Sequence, residues 1–358
     1  MPILDAAALQ DFCSRLLEGV GVNLSDAQFA ATALVASNLR GVDSHGVALL
    51  RYYLEQLEAG DMQPRAEPEL LHQSGCTALV DGHNGLGQIV ARFGSDQAIH
   101  LAMEHGCGIV SVRHSNHFGA AAFWVQRINA AGLIGIALCN ASPVVAPWQG
   151  KEGRLGTNPI CFGVPGASPF LLDMATTTVA ANKIFNAHTR GETEIPTGWA
   201  LTREGVPTTS VDQAYQGLLN PLGGYKGSGL AVMVEMLCGV LSGGAMGNEL
   251  GGIRFRGKPV DVSQFFLALD PKCFLAPGEY ETRAQKLTQM LKAVAPAVGY
   301  DEVLVAGEPE LRHEAQRRRE GIPLTGDTWD SLRHWALKLD VILPKPNAPK
   351  AAPPQPSH

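Results

Sequence analysis

Two histidines stand in short polar segments flanked by glycine: Asp43-Ser44-His45-Gly46 and Ser115-Asn116-His117-Phe118-Gly119. Both lie where an apolar segment gives way to a turn-like one. Imidazole gains or loses a proton near neutral pH without special tuning, so these residues suit proton transfer. Further on, Gly223-Gly224-Tyr225-Lys226-Gly227 sets a lysine among residues that allow a ligand to approach closely, which suits an anion. Proton transfer beside a bound anion is enzyme chemistry. Two other chemistries fit less well. His114 and His117 could put two imidazoles on one side of a turn, but no third ligand lies within a few residues and no H-E-x-x-H occurs, so no metal site is predicted. Ser44 beside His45 could be a nucleophile, yet the base must approach a hydroxyl from elsewhere in space, which adjacent residues rarely do.

The elements that must position these residues alternate along the chain. Residues 5 to 60 read as helices: Asp5 caps the first, with Leu9, Phe12, Leu16 and Leu17 at helical spacing, Ser25 and Asp26 cap a second, and a third runs from Val47 to Leu57 and ends at Gly60. Glu69 to Asp81 is strand-like, and Asp81-Gly82-His83-Asn84-Gly85 is a turn. A helix over Gln88–Glu104, a strand over Gly108–Arg113, a helix over Ala120–Ala131 and a strand over Ile134–Leu138 follow. Asn140 to Pro159 is a loop, with strand-like runs at Ile160–Val164 and Phe170–Asp173. Residues 186 to 224 read as loops and short strands. Leu230–Leu241 reads as a helix apolar nearly all round, hence buried. Ser263–Leu269 is a strand, and helices occupy Glu281–Val294, Arg312–Glu320 and Trp329–Leu339. The Pro/Ala-rich tail 344–358 is expected to be disordered.

Composition narrows the partners. The chain has 358 residues, enough for two or three domains, with 45% hydrophobic and 17% charged residues, an ordinary globular balance. Its net charge is −6, and the one basic cluster, Arg317-Arg318-Arg319, is too short for a nucleic-acid surface. The apolar windows are too short to cross a bilayer. The N-terminus shows no basic segment followed by an apolar one, so no signal peptide is predicted. Seven scattered cysteines without a Cys-x-x-Cys read as buried, reduced thiols of a cytoplasmic protein.

The usual dinucleotide fingerprint fails. Gly85-Leu86-Gly87-Gln88-Ile89-Val90 carries Val where the third glycine belongs and follows a turn rather than a strong strand. Gly227-Ser228-Gly229 follows a loop, and no G-x-x-x-x-G-K-[ST] occurs. Any dinucleotide would be held outside that motif.

Seven segments in collinear order nonetheless resemble one family. They are Asp43-Ser44-His45-Gly46-Val47, Ser115-Asn116-His117-Phe118-Gly119, Ala146-Pro147-Trp148, Leu155-Gly156-Thr157-Asn158-Pro159, Leu172-Asp173-Met174-Ala175-Thr176, Pro196-Thr197-Gly198-Trp199-Ala200 and Pro221-Leu222-Gly223-Gly224-Tyr225-Lys226-Gly227. The likeness, over roughly residues 5 to 340, is to the malate/L-lactate dehydrogenases of the second, non-Rossmann type. That family also holds ureidoglycolate, sulfolactate and diketogulonate dehydrogenases and piperideine-2-carboxylate reductases. It implies a mixed α/β fold with a largely antiparallel or mixed sheet, helices from both chain ends packed together, NAD or NADP as cofactor, a small 2-hydroxy or 2-oxo acid as substrate, and a homodimer or larger homo-oligomer. The corresponding domains are 1–75 with 296–343 (helical), 76–120 with 221–295 (cofactor-binding) and 121–220 (loop-rich).

The resemblance also implies roles. His117 is the catalytic acid/base, with Phe118 and Gly119 beside it at the nicotinamide end. Ser44 and His45 bind the substrate carboxylate or carbonyl, or His45 donates the proton itself, so the two histidines are expected to converge. Asp173, Met174, Ala175, Lys226 and Gly227 bind the cofactor, with Asp173 on a ribose and Lys226 and the Gly227 N–H on the pyrophosphate. Tyr53, about two helical turns after His45, can face substrate or pack in the core. Many relatives carry Arg four residues after the first histidine, where this chain has Leu49. On a helix Arg51 points roughly 120° from His45, against roughly 40° for position 49. Thr177, Asn182, Gln149 and Ala306 also depart from the common pattern. The missing Arg keeps a second reading open, an NADPH-dependent reductase of cyclic or N-alkyl imino acids. A third is a non-catalytic binding protein on the same fold.

Overall fold

The computed structural model describes residues 1–166 and 170–347. In chain order the elements are β1 (Ile3–Leu4), α1 (Ala6–Gly19), α2 (Leu24–Leu39), α3 (Leu50–Ala59), β2 (Glu69–Ser74), β3 (Thr77–Asp81), α4 (Gly87–His105), β4 (Cys107–Ser115), α5 (Ala121–Ala130), β5 (Ile134–Cys139), β6 (Ile160–Gly163) and β7 (Leu171–Met174). They continue with α6 (Ala181–Thr189), β8 (Ala200–Leu201), β9 (Pro207–Thr208), α7 (Val211–Gln216), β10 (Leu218–Leu219), α8 (Tyr225–Glu235), β11 (Val262–Leu269), α9 (Glu279–Lys292), α10 (Glu308–Glu320), β12 (Ile322–Pro323) and α11 (Gly326–Lys338). Two compact units result: residues 1–51 with the described residues from 310 onward, and residues 52–309.

In the first unit the two chain ends meet as an antiparallel pair, β1 with β12. Asp5 Oδ1 caps α1 by accepting from the Ala7 and Ala8 N–H groups. The cap of α2 is Asn23, not Ser25 or Asp26: its Oδ1 accepts from Asp26 N–H at 3.0 Å. An N-cap must stand outside the helix with extended backbone, and Asn23 does so (ψ 154°), whereas Ser25 and Asp26 lie inside. Leu9, Phe12, Leu16 and Leu17 of α1 and Ala30, Ala31 and Leu34 of α2 are buried, as are Leu332 and Trp335 of α11. Most of the tail expected to be disordered lies outside the described residues; within its described part, Asn347 N–H donates to Ile3 O at 2.7 Å.

The second unit is built on a seven-stranded sheet of order β2-β3-β4-β11-β5-β6-β7, in which only β3 and β4 run parallel. This is the mixed sheet expected, and not a doubly wound one. β2 and β3 form a hairpin turning at Gly75 (φ +53°) where one strand-like run was expected. Glycine tolerates that left-handed conformation without strain. β11 is buried on both faces. Phe266 meets α4, where a Cβ on Gly94 would fall 2.9 Å from its ring and from Val112. Phe265 lies in a second cluster with Leu138, Val234 and Cys238. Successive strand residues point to opposite faces, which is why both can be covered.

Three expectations change. Residues 186–224, read as loops and short strands, hold the short strands β8, β9 and β10 but also the end of α6 and all of α7, which with the sheet β10-β8-β9 enclose a small core of Val145, Leu155, Ile184, Ile195, Val211 and Leu219. The apolar helix around Leu230–Leu241 is not buried all round. It begins at Tyr225, passes into a π-helical turn over Met236–Val240, and leaves Met236 55% and Leu241 57% exposed, with Val232, Met233 and Val240 beside them. Only its Ala231, Val234 and Cys238 side is covered. Finally, Cys273 is exposed and Cys76 and Cys107 are half-buried, although the described cysteines are all free. No helix among the described residues is long and apolar enough to cross a membrane.

Gly94→Ala is expected to overpack the α4–sheet contact and lower unfolding free energy by about 1–3 kcal/mol. A urea titration should show the midpoint fall with no change in slope.

Candidate active site

The end of β4 carries the second histidine segment, and its position is fixed by polar contacts rather than by the strand alone. Asn116 Nδ2 donates to Asn84 O at 3.1 Å, Asn84 Oδ1 at 3.0 Å and Gly85 O at 2.8 Å. Gln264 Nε2 donates to Ser115 Oγ at 2.7 Å. The turn before α4 is knitted to the same strand end, with Gly82 N–H on Arg113 O and Asn84 N–H on His114 O. α4 approaches so closely that a Cβ on Gly87 would fall 2.2 Å from Asn116 O and 2.3 Å from His117 O.

His117 emerges from this clamp half-buried. Its Nδ1 lies 2.7 Å from Tyr53 Oη, and Gly119 N–H donates to the same Nδ1 at 3.2 Å. Gly119 takes φ +82°, a conformation that favours glycine. Tyr53 is 1% exposed, and burial pushes its hydroxyl pKa upward despite contacts with Gln88 and the Gly119 N–H. Tyr53 is therefore a partner of the imidazole. Phe118 is buried, its ring stacked on Trp124, whose Nε1–H donates to Phe118 O at 3.2 Å.

The candidate cofactor residues form a connected group in the same unit. Asp173 on β7 is exposed, and its Oδ2 accepts from Ala122 N–H at 2.8 Å, at the N-terminus of α5. Met174 and Ala175 beside it are half-buried. The next residue, Thr176, donates its N–H to Thr157 O and accepts from Leu222 N–H, which joins this segment to the loop before α8. Gly223 (φ +59°) and Gly224 (φ +67°) turn that loop into the helix, with Trp148 packed so that a Cβ on Gly224 would fall 2.9 Å from its ring. Lys226 lies exposed in the first turn of α8. One expectation needs correcting here: the Gly227 N–H donates to Leu222 O at 2.7 Å, so it is not available to a phosphate. A helix leaves its first N–H groups, here those of Tyr225 and Lys226, without partners inside the helix. Gly227 is needed for space: a Cβ there would fall 2.4 Å from Leu222 N and 2.5 Å from Thr176 O. A positive side chain and a helix N-terminus beside glycines fit the anionic pyrophosphate of a dinucleotide.

Beneath these loops sits a buried carboxylate that the sequence reading did not single out. Glu235 accepts from Asn140 Nδ2 at 3.2 Å and from Asn158 Nδ2 at 3.1 Å, tying the end of β5 to the Leu155–Pro159 loop. Burial raises its pKa, opposed by the two amides. Arg254 was also missed. Its guanidinium lies over the rings of Tyr52 and Phe185, each at 4.7 Å, and donates to Tyr52 Oη and to Asn182 Oδ1. Of the other departures, Gln149 holds φ +68° where relatives commonly have glycine, Thr177 Oγ1 bonds Val179 O, and Ala306 O accepts from Leu171 N–H.

The first histidine segment belongs to the other unit. Asp43 is gripped by Arg317 (Nη2 to Oδ2 2.9 Å) and by Asn38 Nδ2 at 2.6 Å. Asn38 Oδ1 accepts from Val47 N–H at 2.8 Å and lies where a Cβ on Gly46 would sit. Gly46 is thus extended (ψ −147°), with a 3-10 turn on each side, and α3 starts only at Leu50. The helical angles assigned above to Leu49, Arg51 and Tyr53 relative to His45 therefore do not apply. Leu49 is buried and Arg51 half-buried. Ser44 Oγ lies 2.9 Å from His45 Nδ1. Burial lowers the His45 pKa from 6.5 to about 4, so this ring is neutral at pH 7.

A cleft of about 290 Å³ opens beside the β4 end, lined by Asp81, His83, Asn84, His114, Pro259 and Asp261. It contains none of the residues assigned to substrate or cofactor. Asp81 holds His114 Nδ1 at 2.9 Å and Arg113 Nε at 3.1 Å. Partial burial opposes its ionisation, but the His83 N–H, His114 and Arg113 outweigh that and lower its pKa. No group of three or more His, Cys, Asp or Glu side chains among the described residues is arranged to hold a metal.

A family model for malate/L-lactate dehydrogenase matches residues 4–333. The chain belongs to the malate/L-lactate dehydrogenase family. It is 35% identical to a malate dehydrogenase of Pyrococcus horikoshii, over 93% of this chain and 94% of that one. It is 38% identical to a (2R)-3-sulfolactate dehydrogenase (NADP(+)) of Chromohalobacter salexigens, over 90% and 94%. The solved sulfolactate dehydrogenase of Methanocaldococcus jannaschii superposes with a TM-score of 0.89 at 33% identity, covering 95% of this chain and 98% of that one. The mixed sheet is thus the family's non-Rossmann fold.

Gly87→Ala should displace the His117 loop and cut turnover by at least tenfold while circular dichroism stays that of the parent. His45 gives a pH signature. Its pKa is 6.5 unfolded and about 4 folded, so the unfolded chain binds the proton first. Its contribution is complete above about pH 6.5, falls as pH drops to about 4, and amounts to up to about 3 kcal/mol. Melts across that window should show the parent losing this component as pH falls while His45→Gln does not.

Proposed function

We propose that this protein is an NAD(P)-dependent oxidoreductase that transfers a hydride between the cofactor and a small 2-hydroxy acid or its 2-oxo acid, in the manner of malate and lactate. The observation that carries the reading is the clamped imidazole of His117, paired with Tyr53 and joined through α5 to exposed Asp173. The nicotinamide, when bound, supplies or accepts the hydride.

His117 does the proton work. In oxidation the imidazole takes the hydroxyl proton at a ring nitrogen, with Tyr53 Oη 2.7 Å from Nδ1 to steady the ring. In reduction the same nitrogen returns the proton to the carbonyl oxygen. Asp173, Met174 and Ala175 take the ribose side of the cofactor and Lys226 its pyrophosphate, with Phe118 and Gly119 supporting the nicotinamide end. Ser44 and His45 take the substrate's carboxylate or carbonyl. Because His45 is neutral at pH 7, it does so by hydrogen bonding rather than by charge. Arg51 of the same segment meets the substrate carboxylate. Tyr53 acts on substrate only through His117, since it is buried.

The domain assignment belongs to the same reading: 76–120 with 221–295 hold the cofactor, 121–220 form the loop-rich part, and 1–75 with 296–343 the helical part. A cytoplasmic homodimer or larger homo-oligomer completes it, supported by the exposed apolar stripe of Val232, Met233, Met236, Val240 and Leu241.

The test is a substrate panel with NADH and NADPH, followed by nicotinamide absorbance. Turnover of 2-oxo acids, including sulfonated ones, is expected to exceed that of cyclic imino acids; the reverse order would favour the reductase reading, and silence across the panel would defeat both. His117→Gln should cut turnover by roughly 10²–10⁴ with cofactor affinity little changed.

A further inference from the structure

Glu235 closes α8 and is buried, yet nothing in the proposed reaction uses it. Each of its oxygens accepts from a side-chain amide: Oε2 from Asn140 Nδ2 at 3.2 Å and Oε1 from Asn158 Nδ2 at 3.1 Å. Neither amide can turn its oxygen toward the carboxyl instead. Asn140 Oδ1 accepts from Ser263 N–H at 2.7 Å, and Asn158 Oδ1 accepts from Ala141 N–H at 3.0 Å. The second hydrogen of each NH2 group goes to a backbone carbonyl, Ala245 O at 3.0 Å and Ala231 O at 2.9 Å. The two amides thus require an acceptor at both carboxyl oxygens, which an ionised carboxylate supplies. A proton on either oxygen would face an N–H donor and displace one amide.

The amides are joints between elements. Asn140 ties the end of β5 to β11, and Asn158 ties the loop before β6 to α8 and Ala141. From that loop a ladder of backbone contacts leads outward. Thr157 O accepts from Thr176 N–H at 2.9 Å and from Thr176 Oγ1 at 3.0 Å. Thr176 O accepts from Leu222 N–H at 2.9 Å, and Leu222 O accepts from Gly227 N–H. The ladder therefore joins Asn158 to the segment of Asp173, Met174 and Ala175 and to the helix start that carries Lys226.

The influences on Glu235 are burial, the two amides and the Gly247 N–H, and no cation is among them. Cys139 of β5 and Cys238 of the π-helical turn lie beside it, and burial pushes both thiols up. Acidification therefore changes the charge of Glu235 and leaves those thiols as they are.

We propose that Glu235 is a positioning residue: its ionised carboxylate holds the Asn158 loop, and through that loop both walls assigned to the dinucleotide, so that its protonation loosens them. This rests on the assignment of Asp173, Met174, Ala175 and Lys226 to the cofactor. The latch itself is a property of the protein without cofactor.

The experiment is amide hydrogen exchange of the cofactor-free protein, read residue by residue by NMR and corrected for the intrinsic pH dependence, in steps from about pH 8 to about pH 5. Protection of the Thr176 and Leu222 N–H groups is expected to fall about tenfold as the pH drops. Glu235→Gln, which has the shape of the protonated form, should show the loosened values at every pH. The dissociation constant of NADH or NADPH, read from nicotinamide fluorescence, should rise about tenfold on acidification in the parent and be raised and pH-independent in Glu235→Gln. Adding Asn158→Ala to Glu235→Gln should cost little more, because both act on one contact. Unchanged protection of both amides across the range overturns the proposal from the parent alone, even where a variant fails to fold. A Glu235→Gln protein with the parent's protection and pH response overturns it as well. Loosening of the two amides in a chain that binds neither nucleotide would leave the Glu235 assignment standing and remove the cofactor reading.

Discussion

The arrangement depends on holding one short loop against the N-terminus of one helix. The Asn116 amide is engaged three times by the turn before α4, and α4 carries glycine at position 87, where any side chain would collide with the loop carbonyls. A loop residue normally has freedom that a catalytic group cannot use, because misplacement of about 1 Å costs rate steeply. Here the freedom is removed by three contacts of the Asn116 Nδ2 amide and by a missing Cβ, which lets the helix approach closely. His117 inherits its position from both.

The same physics divides the two histidines. Burial is the largest influence on His45 and removes its charge at neutral pH, with Ser44 as its hydrogen-bond partner. A ring of that kind orients a ligand well and exchanges protons poorly. His117 has a hydroxyl and a backbone N–H at one nitrogen, so its proton distribution is set by directional contacts. Two residues of one type thus stand in different electrostatic and hydrogen-bonding surroundings.

Much of this was legible because it rests on local rules. The alternation of apolar and polar residues marked β4, α4, α5 and β5 to within a few residues, and the histidine segments stood at element ends, where turn chemistry shows. What stayed hidden was set by contacts distant in sequence. Asp173 meets α5, Glu235 meets Asn140 and Asn158, and Arg254 meets Tyr52 and Asn182 across separations that no spacing rule reports. The helix around Leu230 shows the limit of composition: an apolar sequence reports that a face will be covered, without saying that one chain covers only part of it. Gly46 shows the limit of periodicity. Residues 45 to 53 keep helical spacing, but Asn38, bound to Val47 N–H, occupies the space beside Gly46 and breaks the helix there.

The failed glycine fingerprint has a physical meaning in this fold. β3, α4 and β4 form the one parallel strand–helix–strand unit of the sheet, and Gly85-Leu86-Gly87 stands where such a unit would cradle a pyrophosphate. That helix N-terminus is already occupied: the carbonyl oxygens of Asn116 and His117 lie where a ligand would need to approach Gly87. The glycine makes room for the His117 loop, and partial positive charge at the helix end faces protein carbonyls. A second glycine turn, Gly223-Gly224, opens α8 with Lys226 exposed in its first turn. The sequence thus carries glycine-rich helix starts in two places, one closed by its own loop and one with an exposed lysine, and the usual dinucleotide motif in neither.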